Sequence, residues 1–163
     1  MEQTDEKQLI IYTDGACFRN PGPGAWAAIL IYGDSRKEIS QGFRRTTNNR
    51  MEIMAILEAL KTIKWRTGLK VKLYSDSEYC INTLTKGWLW SWKKNNWKRK
   101  AGEVKNIDLW DEMANLILGR NIDFIHVYGH VGIEENENCD KLAKAAASAS
   151  DLDIDVKYER SAR

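Results

Sequence analysis

The chain has 163 residues, a formal net charge of +2 and three cysteines. This length suits one domain with a proper core, and no apolar run approaches the roughly 20 residues of a membrane-spanning helix. An odd number of cysteines without a CxxC pair argues against a disulfide framework and a structural zinc site. The polar, acidic N-terminus does not resemble a signal peptide, so we expect a cytoplasmic protein.

The N-terminal part of the chain predicts three strands. Residues 8–14 are a run of large, mostly apolar side chains that ends on Asp14. Two prolines and two glycines at 20–24 predict a turn. The segments 25–32 and 38–45 predict a second strand and a half-apolar edge strand. Because short turns join these strands, we expect an antiparallel meander.

A crossover helix comes next. Thr and Asn capping residues precede a predicted helix over 50–66, which Gly68 should end. A fourth strand is predicted over 70–75. Because a helix joins it to the meander, it should lie parallel to the first strand. The carboxyl ends of both strands then meet at one edge of the sheet, which places Asp14 near Asp76.

The C-terminal half predicts helices at 77–86, 88–95 and 107–118, a fifth strand at 121–128, a loop at 129–136 and an alanine-rich helix at 137–150. We therefore expect a single domain over 8–150. The flexible N-terminus, 1–7, precedes it, and a charged C-terminal tail, 151–163, follows it. The alternation of Leu152, Ile154, Val156 and Tyr158 could form a strand, but we expect the tail to be disordered. The sequence contains no apolar stripe beyond those that the predicted core explains, so we expect a monomer.

Four carboxylates need an explanation. Asp14 and Asp76 end strands, Glu52 heads the apolar stripe of its helix, and Asp140 lies in the last helix. Each alone could be a cap, a turn residue or a solvated acid. Together they would repel one another unless cations hold them. Oxygen ligands suit Mg²⁺, with Mn²⁺ as a substitute, and two such ions would support phosphodiester hydrolysis.

A glycine-flanked histidine follows the fifth strand. His130 could move protons or assist product release beside the acids, and a plain surface histidine is the alternative. His126 falls within the strand alternation and is interpreted as a packed residue.

The segment 86–105 is basic and aromatic. It contains seven basic residues and one acidic residue, and four of the seven tryptophans of the chain lie within it. Two other interpretations are open. The tryptophans, at helical spacing, could pack into the core, and the basic residues could form a solvated face without a partner. Cations interleaved with rings also suit a nucleic-acid backbone. We therefore predict a polyanion partner held at this segment.

An ordered set of motifs covers nearly all of residues 8–149 and resembles type 1 ribonuclease H, in the bacterial form with a basic protrusion. The motifs are YTDG at 12–15, NPGPG at 20–24, TTNNRME at 46–52, SDS at 75–77, WKK at 92–94, NIDLW at 106–110, and GH at 129–130 followed by NENCD at 136–140. The resemblance implies an α/β fold, ribonuclease H-like, whose five-stranded mixed sheet has the order 3-2-1-4-5 and is flanked by helices. It also implies hydrolysis of the RNA strand of an RNA/DNA hybrid, which leaves 5′-phosphate and 3′-hydroxyl ends.

By motif position, the resemblance also assigns residue roles. The metal-binding catalytic acids of the family correspond to Asp14, Glu52, Asp76 and Asp140, and its mobile-loop histidine corresponds to His130. Positions near the minor groove of the hybrid correspond to Asn20, Asn48 and Glu78. The pocket for a DNA-strand phosphate corresponds to Arg45, Thr47 and Asn106. The aromatic along the DNA channel corresponds to Trp88, and the basic protrusion contains Trp92, Lys93 and Lys94.

Two other functions compete with a metal-dependent hybrid nuclease. A module that binds hybrids without cutting them would gain nothing from clustered acids beside phosphates. A DNA-acting relative, such as a resolvase or transposase core, would not require the basic protrusion or the Asn-rich start of the first long helix. We therefore favour the nuclease, with the RNA/DNA hybrid as its partner.

Overall fold

A computed structural model describes residues 8–128 and 133–162. The strands are β1 (Gln8–Cys17), β2 (Gly22–Tyr32), β3 (Ser35–Thr46), β4 (Lys70–Ser75), β5 (Lys98–Arg99), β6 (Gly102–Glu103) and β7 (Ile122–His126). The helices are α1 (Asn48–Lys61), α2 (Glu78–Thr85), α3 (Trp88–Lys94), α4 (Ile107–Ile117), α5 (Glu134–Ala147) and α6 (Val156–Ser161). The predicted flexible N-terminus, 1–7, lies outside the described residues. Among the residues described, no helix has both the length and the apolar character needed to cross a membrane.

The main sheet is mixed and has the order β3-β2-β1-β4-β7. Strand β1 pairs antiparallel with β2 and parallel with β4, and β4 pairs parallel with β7. The predicted fold class and strand order are therefore confirmed, and β3 lies at the edge as expected. A second sheet, formed by β5 and β6, was not predicted, because two residues per strand are too few for a periodic pattern.

Helices pack on both faces of the main sheet. The larger core lies between the sheet and the helices α1 and α4, and Trp110 and Met113 of α4 are buried in it. On the opposite face, Cys139 and Ala143 of α5 pack against Ala27 and Ile29 of β2. Successive strand residues point to opposite faces, so β2 contributes to both cores.

Three predicted helix boundaries were wrong by three residues or more: the end of α1 and both ends of α5, which ends at Ala147 rather than residue 150. Helix α1 ends at Lys61 rather than residue 66, because the Thr62 hydroxyl donates a hydrogen bond to the carbonyl of Ala59 and completes the helix end. Gly68 instead lies in a later turn. Helix α5 begins at Glu134, three residues before its predicted start. Its first turn is rich in glutamates, which the positive end of the helix dipole favours.

The tail that we expected to be disordered packs on the domain over residues 151–162. Asp153 pairs with Phe43 of the edge strand. Asp155 is 4% exposed, and its carboxylate accepts hydrogen bonds from the Nε of Arg50 at 2.7 Å and from the hydroxyl of Thr46 at 2.8 Å. The prediction of disorder was therefore wrong. The contact that fixes the tail is a buried charge pair between residues far apart in the chain, which leaves no local pattern in the sequence.

Candidate active site

Three of the four predicted acids converge at the carboxyl ends of β1 and β4. Asp14 lies in β1, Asp76 follows β4, and Glu52 lies one turn into α1. The parallel register pairs Thr13 with Ser75, which brings the next residues of both strands side by side. One carboxylate oxygen from each acid lies within 4.8 Å of the others. We call these three residues the carboxylate triad.

The position of Glu52 depends on the absence of a side chain at Gly15. A Cβ atom at Gly15 would lie 2.5 Å from the backbone nitrogen of Glu52 and 2.6 Å from the carbonyl carbon of Met51. Both distances are far below van der Waals contact. The glycine therefore allows the backbone of α1 to approach β1 directly, and this approach brings Glu52 to Asp14.

Burial and mutual repulsion disfavour ionisation of the triad. Burial, then the charges of Asp76 and Asp140, raise the pKa of Asp14 to about 8. The pKa of Glu52 is raised well above its ordinary value, first by burial and then by Asp14. Among the described residues, Oδ2 of Asp14 and Oε2 of Glu52 have no hydrogen-bond partner. Buried carboxylate oxygens of this kind fit a hard divalent cation, which would neutralise their charge.

Asp140 lies beside the triad but outside the 4.8 Å group. Its carboxylate raises the pKa of Asp14, which shows that it is near. Its Oδ2 is 2.9 Å from the ammonium of Lys144, one turn further along α5, where the Lys144 side chain is 59% exposed. Such an exposed pair is weak, so Lys144 does not prevent Asp140 from turning toward a cation. His130 lies outside the described residues.

The residues predicted to contact substrate fall into two groups. The first surrounds the start of α1, where the side-chain oxygen of Asn20 accepts a hydrogen bond from the backbone of Asn48 at 3.0 Å. The hydroxyl of Thr47 caps α1. Thr47, Asn20 and Asn106 line one surface cavity of about 520 Å³. Arg45 is exposed and lines a neighbouring cavity.

The second group lies on α2, α3 and the β5–β6 hairpin. Glu78 is exposed in the first turn of α2. Trp88 is 38% exposed, and its ring centroid lies 6.4 Å from that of Trp92. Trp92 also packs against Trp110, so it anchors the segment to the core. The ammonium of Lys93 contacts Asp111 and Asn115, whereas Lys94 is exposed.

Two residues contact the site although no contact with it was predicted for them. Arg50 is 4% exposed and joins Asp155, Asp108 and the side chain of Asn106. A charged residue among the apolar residues of a long helix was the available signal. The ring of His126 has its Nε2 atom 3.1 Å from the backbone oxygen of Asp76, so it contacts the end of β4. No local sequence signal reveals this second contact.

Comparison with known proteins places this site in a family. Residues 6–148 match the model of the family RNase H. The chain is 50% identical to the Ribonuclease H of Syntrophus aciditrophicus (strain SB) over 154 residues, which cover 94% of this chain and 88% of the relative. Among solved structures, LC9-RNase H1, a type 1 RNase H with the type 2 active-site motif, matches with a TM-score of 0.76 and 27% identity over 96% of this chain and 82% of the other. LC11-RNase H1 in complex with an RNA/DNA hybrid matches with a TM-score of 0.66 and 24% identity, over 86% of this chain and 96% of the other. The chain therefore belongs to the RNase H family.

Proposed function

We propose that the protein hydrolyses the RNA strand of RNA/DNA hybrids in a reaction that depends on divalent cations and leaves 5′-phosphate and 3′-hydroxyl ends. The carboxylate triad is the observation that carries this proposal. Family membership supports the nuclease class, and the hybrid bound to the related LC11-RNase H1 supports the substrate.

Different residues of this chain would hold the cations, contact the hybrid and move protons. Asp14, Glu52 and Asp76 would hold the cations, and Asp140 would join them on release from Lys144. When bound, two Mg²⁺ ions would supply a water of lowered pKa and would stabilise the leaving oxygen. Asn20, Asn48 and Glu78 would contact the minor groove, where 2′-hydroxyls distinguish RNA from DNA. Thr47, Arg45 and Asn106 would bind a DNA-strand phosphate, and we assign proton movement near the acids to His130.

The aromatic and basic segment would increase affinity for the hybrid. Trp88 would lie along the DNA strand, and Trp92, Lys93 and Lys94 belong to the protrusion that approaches the backbone. A monomeric state and a cytoplasmic location are further parts of this proposal. Size-exclusion chromatography with light scattering tests the first, and imaging of a tagged protein in cells tests the second.

The decisive experiment compares three labelled duplexes: an RNA/DNA hybrid, an all-RNA duplex and an all-DNA duplex, each with Mg²⁺ and with chelator. We expect metal-dependent cleavage of the RNA strand of the hybrid alone. Binding of the hybrid without cleavage in either Mg²⁺ or Mn²⁺ would instead identify a binding module. Metal-dependent cleavage of the DNA duplex would identify a DNA-acting relative.

The substitution Asp14→Asn tests the assignment of the acids. Because it removes one carboxylate of the triad, we expect hybrid cleavage to fall by more than about 100-fold, since even an outer-shell partner of a metal costs 10–100-fold. Hybrid binding should stay measurable, because the basic segment is untouched. Asp34→Asn, in the exposed turn between β2 and β3, is the matched control and should cleave normally. Near-normal cleavage by Asp14→Asn would contradict the metal-ligand role.

A further inference from the structure

The C-terminal segment, 151–162, is fixed beside the residues assigned to the substrate backbone. Its main chain pairs with β3, where the backbone nitrogen of Arg44 donates to the oxygen of Asp153 at 2.8 Å. Its buried Asp155 contacts Arg50 and Thr46 at the junction of β3 and α1. The segment thus holds α6 at a defined place next to Arg45 and Thr47.

Helix α6 lies between two surface cavities, and each contains residues already assigned to a DNA-strand phosphate. The first, of about 520 Å³, is lined by Thr47 and Asn106 together with Tyr158 and Ser161 of α6. The second, of about 460 Å³, is lined by Arg44, Arg45, Glu159 and Arg160, among others. The two cavities are thus neighbours across α6, and this helix supplies side chains to both.

The charges in the second cavity leave two arginines available for an anion. Arg44 forms an ion pair with Glu159 at 2.9 Å, so these two charges offset each other. Arg45 and Arg160 are exposed and form no ion pair with any residue in 8–128 or 133–162. A guanidinium group presents paired donors that match the oxygens of a phosphate. Two such groups lining one cavity therefore favour a phosphate ligand.

We propose that Arg160 of α6 acts together with Arg45 to bind a backbone phosphate on the DNA strand of the substrate, so that the C-terminal segment is part of the binding surface. This inference rests on the proposed function. It adds a specific residue and a whole segment that the motifs of the chain did not indicate. The DNA strand is the expected occupant because Arg45 lies two residues before Thr47, which lines the adjacent cavity assigned to that strand.

Substitution Arg160→Gln tests the proposal by binding rather than by cleavage. Hybrid affinity is measured with chelator present, over a range of salt concentrations, for the unmodified protein and the variant. Loss of one phosphate contact should weaken binding about fivefold to tenfold near 0.1 M salt and reduce the salt slope by about one. Lys157→Gln is the matched control, since Lys157 lies on the same helix, is exposed and lines neither cavity. It should bind like the unmodified protein.

A neutral methylphosphonate, placed at successive positions along one strand of the hybrid, identifies the strand that Arg160 contacts. With the methylphosphonate at one position in the DNA strand, we expect the difference in hybrid affinity between the unmodified protein and Arg160→Gln to disappear. Its disappearance only for positions in the RNA strand would overturn the assignment to DNA. Equal affinity and salt slope for Arg160→Gln and Lys157→Gln would overturn the role of Arg160.

Two further readouts separate the possible failures. Because Arg160 is exposed, we expect the two variants and the unmodified protein to have equal melting temperatures. That result excludes a folding defect. If the unmodified protein neither binds nor cleaves hybrids, the proposed function fails and the inference fails with it. If the unmodified protein cleaves hybrids and Arg160→Gln binds them equally well, only the inference fails.

Discussion

Gly15 sets the spacing of two carboxylates through its lack of a side chain. The backbones of β1 and α1 meet at this residue, and Asp14 precedes it in the chain. Any side chain there must push α1 away from the sheet and move Glu52 away from Asp14. The spacing of the triad is thus controlled by a residue that carries no functional group.

Substitution Gly15→Ala should therefore reduce activity more than a comparable clash elsewhere. Gly42 is the control, because a Cβ there would lie 2.4 Å from the backbone oxygen of Ala146, on the opposite helix layer. Both alanine variants should lose stability, by about 1–3 kcal/mol from overpacking. Gly15→Ala should lose more hybrid cleavage than Gly42→Ala at a temperature where both are folded, because it moves Glu52 of the triad directly. Equal specific activities, measured with urea unfolding of both variants, would contradict this role for Gly15.

At this scale, the sequence was sufficient for residues with a local pattern. Asp14 and Asp76 end apolar runs in the sequence, although β1 continues to Cys17. Glu52 heads an apolar stripe, so the convergence of the three acids followed from strand and helix geometry. The contacts of Arg50 could not be predicted in this way. Its partners Asp108 and Asp155 are 58 and 105 residues away, and no periodicity connects them.

At the scale of elements, the buried pair of Arg50 and Asp155 joins the start of α1 to the C-terminal segment. Substitution Asp155→Asn leaves Arg50 buried with one charged partner fewer, so we expect a loss of about 3 kcal/mol in the free energy of unfolding. Glu159→Gln breaks the exposed pair with Arg44 and should cost much less stability than Asp155→Asn, because exposed ion pairs are weak. Urea denaturation measures both variants. Similar losses would mean that burial does not govern the contribution of these pairs.

Some lysines of the basic segment are exposed, and another contacts a neighbouring acidic residue. Lys94, Lys98 and Lys100 are exposed, whereas the ammonium of Lys93 contacts Asp111 and Asn115. We expect substitution of each exposed lysine by Gln to weaken hybrid binding and to lower its salt slope by up to about one. Lys93→Gln should have a smaller effect. Affinities measured across a salt series test this ranking, and a dominant effect of Lys93→Gln would reverse it.

Strand order was more predictable than element ends. The helix between β3 and β4 indicated that β4 lies parallel to β1, and the full strand order was implied by the resemblance to ribonuclease H. The end of α1 depended instead on a single threonine hydroxyl bond, and the early start of α5 on the charges of its first turn. Such small local energies do not appear in hydrophobic patterns.

At the scale of the whole molecule, the raised pKa values make stability depend on pH and on metal. Folding raises the pKa of Asp14 from 3.8 to about 8, so the native state holds a proton that the unfolded chain releases. This contribution to stability is complete below about pH 4 and is lost as the pH rises through about 8.

We expect the melting temperature of the chelator-treated protein, minus that of Asp14→Asn, to fall between pH 4 and pH 8. The variant lacks the Asp14 carboxylate, so the difference reports the titration of Asp14 together with its effect on Glu52. Mg²⁺ binds the ionised native state, so above pH 8 it should raise the melting temperature. At 100 times its dissociation constant, Mg²⁺ adds about 2.7 kcal/mol to the free energy of unfolding. A difference that is constant with pH would contradict the raised pKa, and no response to millimolar Mg²⁺ would contradict a preformed site.

The edge strand β3 is protected along both of its halves. At Gly42 and Arg44, its outer hydrogen-bonding groups pair with the main chain of Asp153. Its first half instead carries the exposed charges of Arg36, Lys37 and Glu38. An open edge strand is a template on which a second chain can add a strand and begin a fibril. The contact between Asp153 and β3 therefore has a second consequence, which is to cover a stretch of main chain where aggregation would otherwise nucleate.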